Sequence, residues 1–222
     1  MSEVREAARE HGLGPALTLL TTGVAGEALP CGPGGHAIVP APVARGARLV
    51  WLGGVPADRD RAGEVVIGEL EVEGEHLTIL RHPPVRDAPA RITAPVALPV
   101  ITPVTAWAHG LAWLRLGLSE RLLGACTGYL RRRKAGDTTL LLQQLVKGEL
   151  AEVVIEHLEI EAALADRDAG APALSRLHTQ ITRADRALLR LLGASGFTRE
   201  GSGWPAHVSE LLADVYAGSA HP

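Results

Sequence analysis

A chain of 222 residues with 46% apolar and 21% charged residues can bury a sizeable core and is not a disordered polymer. Its formal net charge of -3 gives no broad basic surface for a phosphate backbone, which argues against nucleic acid as a partner. Cys31 and Cys126 are too few for a disulfide framework or a metal set, the opening MSEVREAARE has no apolar run behind it, and the best candidate membrane run, Ile92 to Ile101, carries Pro95 and Pro99, so a cytoplasmic chain is expected.

The first hundred residues are punctuated by Gly and Pro. A short helix is expected from Glu3 to Glu10, Ala16 to Leu20 is ambiguous, and CGPGGH at Cys31 to His36 reads as a turn-rich loop. Three strand-like runs follow, Ala47 to Leu52, Glu64 to Glu71 and His76 to Leu80, the last two joined by a hairpin turn at Glu73-Gly74-Glu75. His82 to Pro103 is rich in proline and reads as an extended crossing strand or linker. The expected organisation is a helical and loop segment over 1–36, then a small antiparallel β-domain with its linker over 37–104.

From Thr105 the apolar period becomes helical. Leu111, Leu114, Leu118, Leu122, Ala125 and Tyr129 place one stripe along a long helix that ends in Arg131, Arg132, Arg133 and Lys134, cations suited to a helix carboxyl end. Gly136 supports a stop, with Asp137 or Thr138 expected to cap a second helix. That helix should pack through Leu141, Leu145, Gly148, Ala151, Ile155, Leu158 and Ala162, with Glu149, Glu152, Glu156 and Glu159 on another face. A break at Asp168 to Pro172 precedes a third helix carrying Leu174, Leu177, Ile181, Ala184, Leu188 and Leu191 and stopping at Gly193. A fourth is expected from about Pro205 to Tyr216. The fold class is therefore α+β, the small β-domain being followed by an antiparallel four-helix bundle over 105–222.

Several positions in that bundle carry a family pattern. Gly117, Tyr129, Arg133, Gln144, Leu150 and Ala151 lie at ungapped separations; LLGASGFTRE at Leu191 to Glu200 contains a Gly-rich turn; and Val215-Tyr216-Ala217-Gly218-Ser219 follows the fourth helical run. This arrangement resembles the C-terminal domain of acyl-CoA dehydrogenases, covering Thr105 to Ser219 well, Ile38 to Ile101 loosely and the first thirty residues not at all. The resemblance implies a flavin, FAD, held by this chain or shared with a partner subunit, and an acyl thioester substrate. In the family the loop arginine reaches across a subunit interface to the flavin diphosphate, which makes Arg133, Gln144 and Gly196 the implied cofactor-facing positions. A guanidinium suits phosphate because it offers paired donors. The bland alternative leaves Arg133 as one member of a solvated basic helix end.

The departures from the pattern bear on function. Gly136 stands where the family has an aromatic, Asp137 and Ala194 replace glycines, and Arg190 replaces a Gln. At the position of the family's catalytic Glu stands Ala217, and the alternative base position on the first long helix holds Trp107. Neither side chain can take a proton from a thioester α-carbon. The first expectation is therefore a shortened, non-catalytic subunit that pairs with itself or with an acyl-CoA dehydrogenase-like partner. An autonomous flavin-dependent oxidoreductase, recruiting Glu120, Glu149 or Glu200 as base, and a binding or scaffold module are the alternatives. Ser195 and Ser202 follow no strand and make poor nucleophile elbows, and the scattered histidines, among them His36, His76, His82, His109, His157, His178 and His207, show no metal-ligand spacing. Trp51, Trp107, Trp113 and Trp204 are read as core or interface anchors.

Overall fold

The structure, a computed structural model, describes residues 1–52, 55–83, 103–166 and 169–217. Most of the proline-rich segment expected to cross as a strand or linker lies outside the described residues.

Helices α1 (Ser2–His11) and α2 (Leu13–Leu20) open the chain, with Gly12 at φ 88° making the corner between them. The ambiguous run Ala16 to Leu20 is thus helical, with Ala16, Leu17 and Leu20 buried. Strands β1 (Ala28–Pro30) and β2 (His36–Pro40), the short helix α3 (Ala41–Gly46), and strands β3 (Leu49–Leu52), β4 (Val55–Asp58), β5 (Val65–Val72) and β6 (Glu75–Arg81) follow. They form two three-stranded sheets, β1-β3-β4 and β2-β6-β5, in which only the β1–β3 pairing is parallel. The β5–β6 hairpin turns at Glu73 and Gly74, both at positive φ. The sequence gives little warning of β1, β2, α3 and β4, because each is short and bounded by Gly or Pro.

The helical half consists of α4 (Pro103–Arg132), α5 (Gln144–Ala165), α6 (Ala171–Leu192) and α7 (Trp204–Tyr216). The expected start of the second helix requires correction. Residues Lys134–Ala135 (β7) and Thr138–Thr139 (β8) make a tiny hairpin around Gly136 at φ 64°, a 3-10 turn covers Leu140–Leu142, and α5 begins only at Gln144 without a side-chain cap. Asp137 and Thr138 therefore cap nothing; the hairpin has taken their place. The buried face of α5 also differs from the expected one. Val153, His157, Ile160 and Leu164 point inward, whereas Leu145, Ile155 and Leu158 are 85%, 54% and 60% exposed.

One apolar core joins the two halves. Leu13, Leu17 and Leu20 of α2, Ile38 of β2, Trp51 of β3 and Leu77 of β6 pack with Trp107, Leu111 and Leu114 of α4 and Leu212 and Tyr216 of α7. The α1 helix is fastened to the bundle by Arg5, which bonds the carboxylates of Glu120 and Glu161 and lies over the Trp113 ring. Glu120 is consequently committed to an ion pair. At the far end of the bundle Leu122, Cys126 and Leu130 meet Val153, Leu188, Leu189 and Leu192.

Candidate functional site

The antiparallel order of the helices sorts the residues of interest to opposite ends. The beginning of α4 and the end of α7 share one end; the end of α4, the start of α5 and the α6–α7 turn share the other. At about 1.5 Å per residue, α4 separates Trp107 from Arg132 by about 38 Å.

At the first end the Trp107 and Tyr216 rings meet edge to face, with centroids 5.1 Å apart. The Tyr216 hydroxyl accepts from the Ile38 N–H at 3.0 Å and lies 3.0 Å from the Ile38 carbonyl, to which it donates. Its burial pushes the phenol pKa well above the ordinary value, so it stays neutral. Ala217, which follows Tyr216 directly, thus lies at the same end as Trp107, and neither offers a proton acceptor. Around the two rings is a pocket of about 120 Å³ lined by Pro30, Cys31, Gly32, Trp51, Trp107 and Tyr216, with the exposed Pro33 and Val104 on its rim. The CGPGGH turn can form this wall because Gly32 packs on the α7 backbone: a Cβ there would sit 1.8 Å from the Val215 carbonyl oxygen. Burial pushes the Cys31 thiol up to about 12, which keeps it protonated.

At the opposite end Arg133 leaves α4 with its guanidinium 4.7 Å from the Tyr129 ring centroid and its carbonyl accepting from the Leu140 N–H. Arg133 and Gln144 are exposed. Gly196 is buried in the 3-10 turn Gly193–Phe197, where a Cβ would stand 3.0 Å from the Leu189 carbonyl oxygen. The structure places these three at one end of the bundle, and Ala217 at the other.

Between the ends runs a buried polar seam that the sequence reading missed. Arg115, fully buried, donates to Ser209 Oγ at 3.0 Å, Thr182 Oγ1 at 2.7 Å, and the His178 carbonyl and Nδ1 at 3.0 and 3.1 Å. Burial, and then the Arg115 charge, lower His178 to about 3, so its ring is neutral; Nδ1 accepts from Arg115 while Nε2–H donates to the Ala108 carbonyl. Ser119 bonds His157 Nε2 at 2.8 Å, and burial lowers the His157 pKa. Asp185 is raised to about 6, first by burial; Ser119 lies near enough to favour its ionised form, yet neither carboxylate oxygen makes a hydrogen bond. Despite its Ser, His and Asp members, the seam is helix packing. All but the half-buried Thr182 are buried, and none lines the pocket between Trp51 and Tyr216; His178 and Thr182 instead border a cleft of about 290 Å³ with Glu210, Asp214 and Ala217. One signal was available: Arg115 interrupts the apolar run LAWLRLGL. Among the described residues no group of three or more His, Cys, Asp or Glu side chains could hold a metal ion, and no helix is long and apolar enough to cross a membrane.

No protein-family model and no curated protein matches the sequence. Solved structures do match its shape. A variant of the Tcur3481-Tcur3483 steroid ACAD superposes with a TM-score of 0.60 at 21% identity, over 97% of this chain and 70% of that one. Butyryl-CoA dehydrogenase from Megasphaera elsdenii gives 0.55 at 11% identity, over 86% and 59% of the two chains. A Mycobacterium smegmatis glutaryl-CoA dehydrogenase in complex with FADH2 gives 0.52 at 18%, over 86% and 57%. The chain has the acyl-CoA dehydrogenase fold. It spans less than two thirds of the length of the butyryl- and glutaryl-CoA dehydrogenase chains.

An acyl-CoA dehydrogenase-like fold raises the question of where a flavin would fit. At the end of the bundle that also holds the glycine turn, an exposed guanidinium and carboxamide offer donors of the kind that suit a diphosphate, although Asp137 adds a carboxylate to the loop after α4. The aromatic pocket does not fit the rest of the cofactor. A cavity of about 150 Å³ holds one benzene, so this smaller one has no room for a three-ring isoalloxazine.

Proposed function

We propose that this chain is a non-catalytic acyl-CoA dehydrogenase-like subunit. Its bundle, 105–222, would associate with a second copy or with an acyl-CoA dehydrogenase-like partner in the cytoplasm and present Arg133, Gln144 and Gly196 to that partner's FAD, the partner acting on an acyl thioester. The observation that carries this reading is the aromatic pocket. Trp107, one of the two positions where the family resemblance puts a base, lines this pocket, and no carboxylate lines it; Ala217, the other, lies at the same end of the bundle and borders a separate cleft with Glu210, which is paired with Arg186, and Asp214. Three further features support it. Arg133, Gln144 and Gly196 lie at the opposite end, where they would serve a flavin held by another chain. The outer face of α5 carries Leu145, Val154, Ile155 and Leu158, apolar and exposed, which suits association. The steroid ACAD neighbour is named as a pair, Tcur3481-Tcur3483, the form that such an assembly takes. The ion pair of Glu120 with Arg5 speaks against its recruitment as a base in an autonomous enzyme.

The reading predicts that an acyl-CoA dehydrogenase-like chain is encoded beside this one, and the test is co-expression of the two, followed by absorbance spectroscopy and dye-linked acyl-CoA oxidation. The isolated chain should be colourless and inactive, the pair yellow and active. Arg133→Ala should weaken flavin retention by the pair about tenfold, as expected for loss of a charge-assisted contact. Flavin bands and acyl-CoA turnover by the isolated chain would overturn the reading.

A further inference from the structure

Helices α5 and α6 lie side by side on the outside of the bundle and carry opposite charge. Helix α5 has five carboxylates, Glu149, Glu152, Glu156, Glu159 and Glu161, against the single cation Lys147. Helix α6 has Arg176, Arg183, Arg186 and Arg190, and its one carboxylate, Asp185, is buried. Glu152 and Glu159 are exposed and stand two turns apart, as do Arg176, Arg183 and Arg190, so each helix shows the solvent a stripe of one sign. Between the helices Glu156 meets Arg183 at 3.9 Å, while Glu152, Glu159, Arg176 and Arg190 have no ion pair among the described residues. Burial holds the Glu156 carboxyl above its ordinary value, and the Glu159 and Glu152 charges add to this against the pull of Arg183. The acidic stripe thus lacks cations of its own.

The same face exposes Ile155 and Leu158, and the groove between the helices, about 600 Å³, has Ala163, Leu177, Gln180 and Arg183 on its walls. Two 22-residue helices side by side present roughly 33 by 20 Å, close to the ~800 Å² per partner of a stable interface. A two-fold axis can lay this face on a copy of itself, helices aligned, in two ways. One sets α5 on α5 and α6 on α6, so that carboxylates oppose carboxylates and arginines oppose arginines. The other has its axis along the groove and sets α5 of each copy on α6 of the other, so that every acidic stripe meets a basic one. We propose that this chain pairs with a second copy in that second arrangement, Glu152 and Glu159 of each copy facing the α6 arginines of the other. The arginine stems then cover Ile155 and Leu158. The proposal rests on the subunit reading for α5 as an associating surface and commits that surface to a second copy.

Sedimentation velocity of the isolated full chain, up to about 0.1 mM and at about 0.05 and 0.5 M salt, reads the dimer without flavin or any other chain present. The unaltered chain should dimerise at low salt and lose about tenfold or more in affinity at high salt, because exposed charges are screened. Glu152→Lys with Glu159→Lys turns the whole face basic, and Arg183→Glu with Arg190→Glu turns it acidic. Each double reversal should cost at least about a hundredfold in self-association. Mixing the two reversed chains should restore a dimer containing one copy of each, which also shows that both are folded. A chain that stays monomeric, a dimer that salt strengthens, reversals that leave dimerisation unchanged, or a mixture that stays monomeric would overturn the proposal. Docking of this face on the co-expressed acyl-CoA dehydrogenase-like chain alone would overturn it too, while keeping the subunit reading. A salt-weakened dimer whose co-expressed pair retains no flavin supports the interface and sinks that reading.

Discussion

Helices α5 and α6 have the same length, 22 residues, and both repeat apolar residues every three or four positions. In α6 the stripe expected from sequence is the one that packs: Leu174, Leu177, Ile181, Ala184 and Leu188 are buried. In α5 the expected stripe faces outward, and the inner face is Val153, His157, Ile160 and Leu164. The difference lies in the remaining residues. The other side of α6 carries Arg176, Arg183, Arg186 and Arg190, so it has only one face that can be buried. Helix α5 is apolar on two sides, and its neighbours choose between them. Ser119 of α4 offers a partner to His157, which lets a polar residue occupy the inner face without an unpaired nitrogen. Periodicity identifies candidate faces; when there are two, the partner groups across the interface decide.

Substitutions can break or sharpen this contrast. Leu188→Ala should cost about 2–5 kcal/mol in chemical denaturation, as a fully buried leucine does, whereas Leu158→Ala should stay within about 0.5 kcal/mol. Equal losses would mean that the two faces are wrongly distinguished. Asp185 tests the inner side of α6 through pH. Burial raises its pKa from 3.8 to about 6, so the folded chain binds the proton more tightly than the unfolded one. The corresponding stability is complete below the unfolded value of 3.8 and is lost as pH rises through about 6, by about 3 kcal/mol. Asp185→Asn should remove that slope from stability measured between pH 4 and 7. The last test changes the outer face of α5, with Ile155→Glu and Leu158→Glu together. The double variant should denature within about 1 kcal/mol of the parent, yet weaken self- or partner association at least about tenfold in sedimentation velocity. Unchanged association would remove α5 from the proposed interface.

The course of the chain was legible where elements are long. The α4, α6 and α7 helices begin and end close to the signals that announced them, Pro205 at the start of α7 and Gly193 at φ 59° after α6 among them. The β5–β6 hairpin was legible for the same reason, with Glu73-Gly74 at its turn. Strands of three to five residues such as β1 and β2 show no period, because their positions are buried nearly throughout. The pocket was legible only in pieces. Trp51, Trp107 and the turn at Cys31 stood out separately, but the register that joins Tyr216 to Ile38, 178 residues away in sequence, belongs to tertiary structure. The Arg115 seam was hidden for a related reason: its partners are scattered over α4, α6 and α7, and each alone resembles an ordinary surface residue.

That seam also bears on the order in which the molecule can assemble. The Arg115 guanidinium cannot shed its water until its acceptors are in position, and these lie 63 to 94 residues further along the chain. An intermediate containing only α4 and α6 would strip the charge while leaving Nε without Ser209. Docking of α7 is therefore tied to closure of the α4–α6 contact, and the buried arginine acts as a checkpoint that makes α7 a condition for sealing α4.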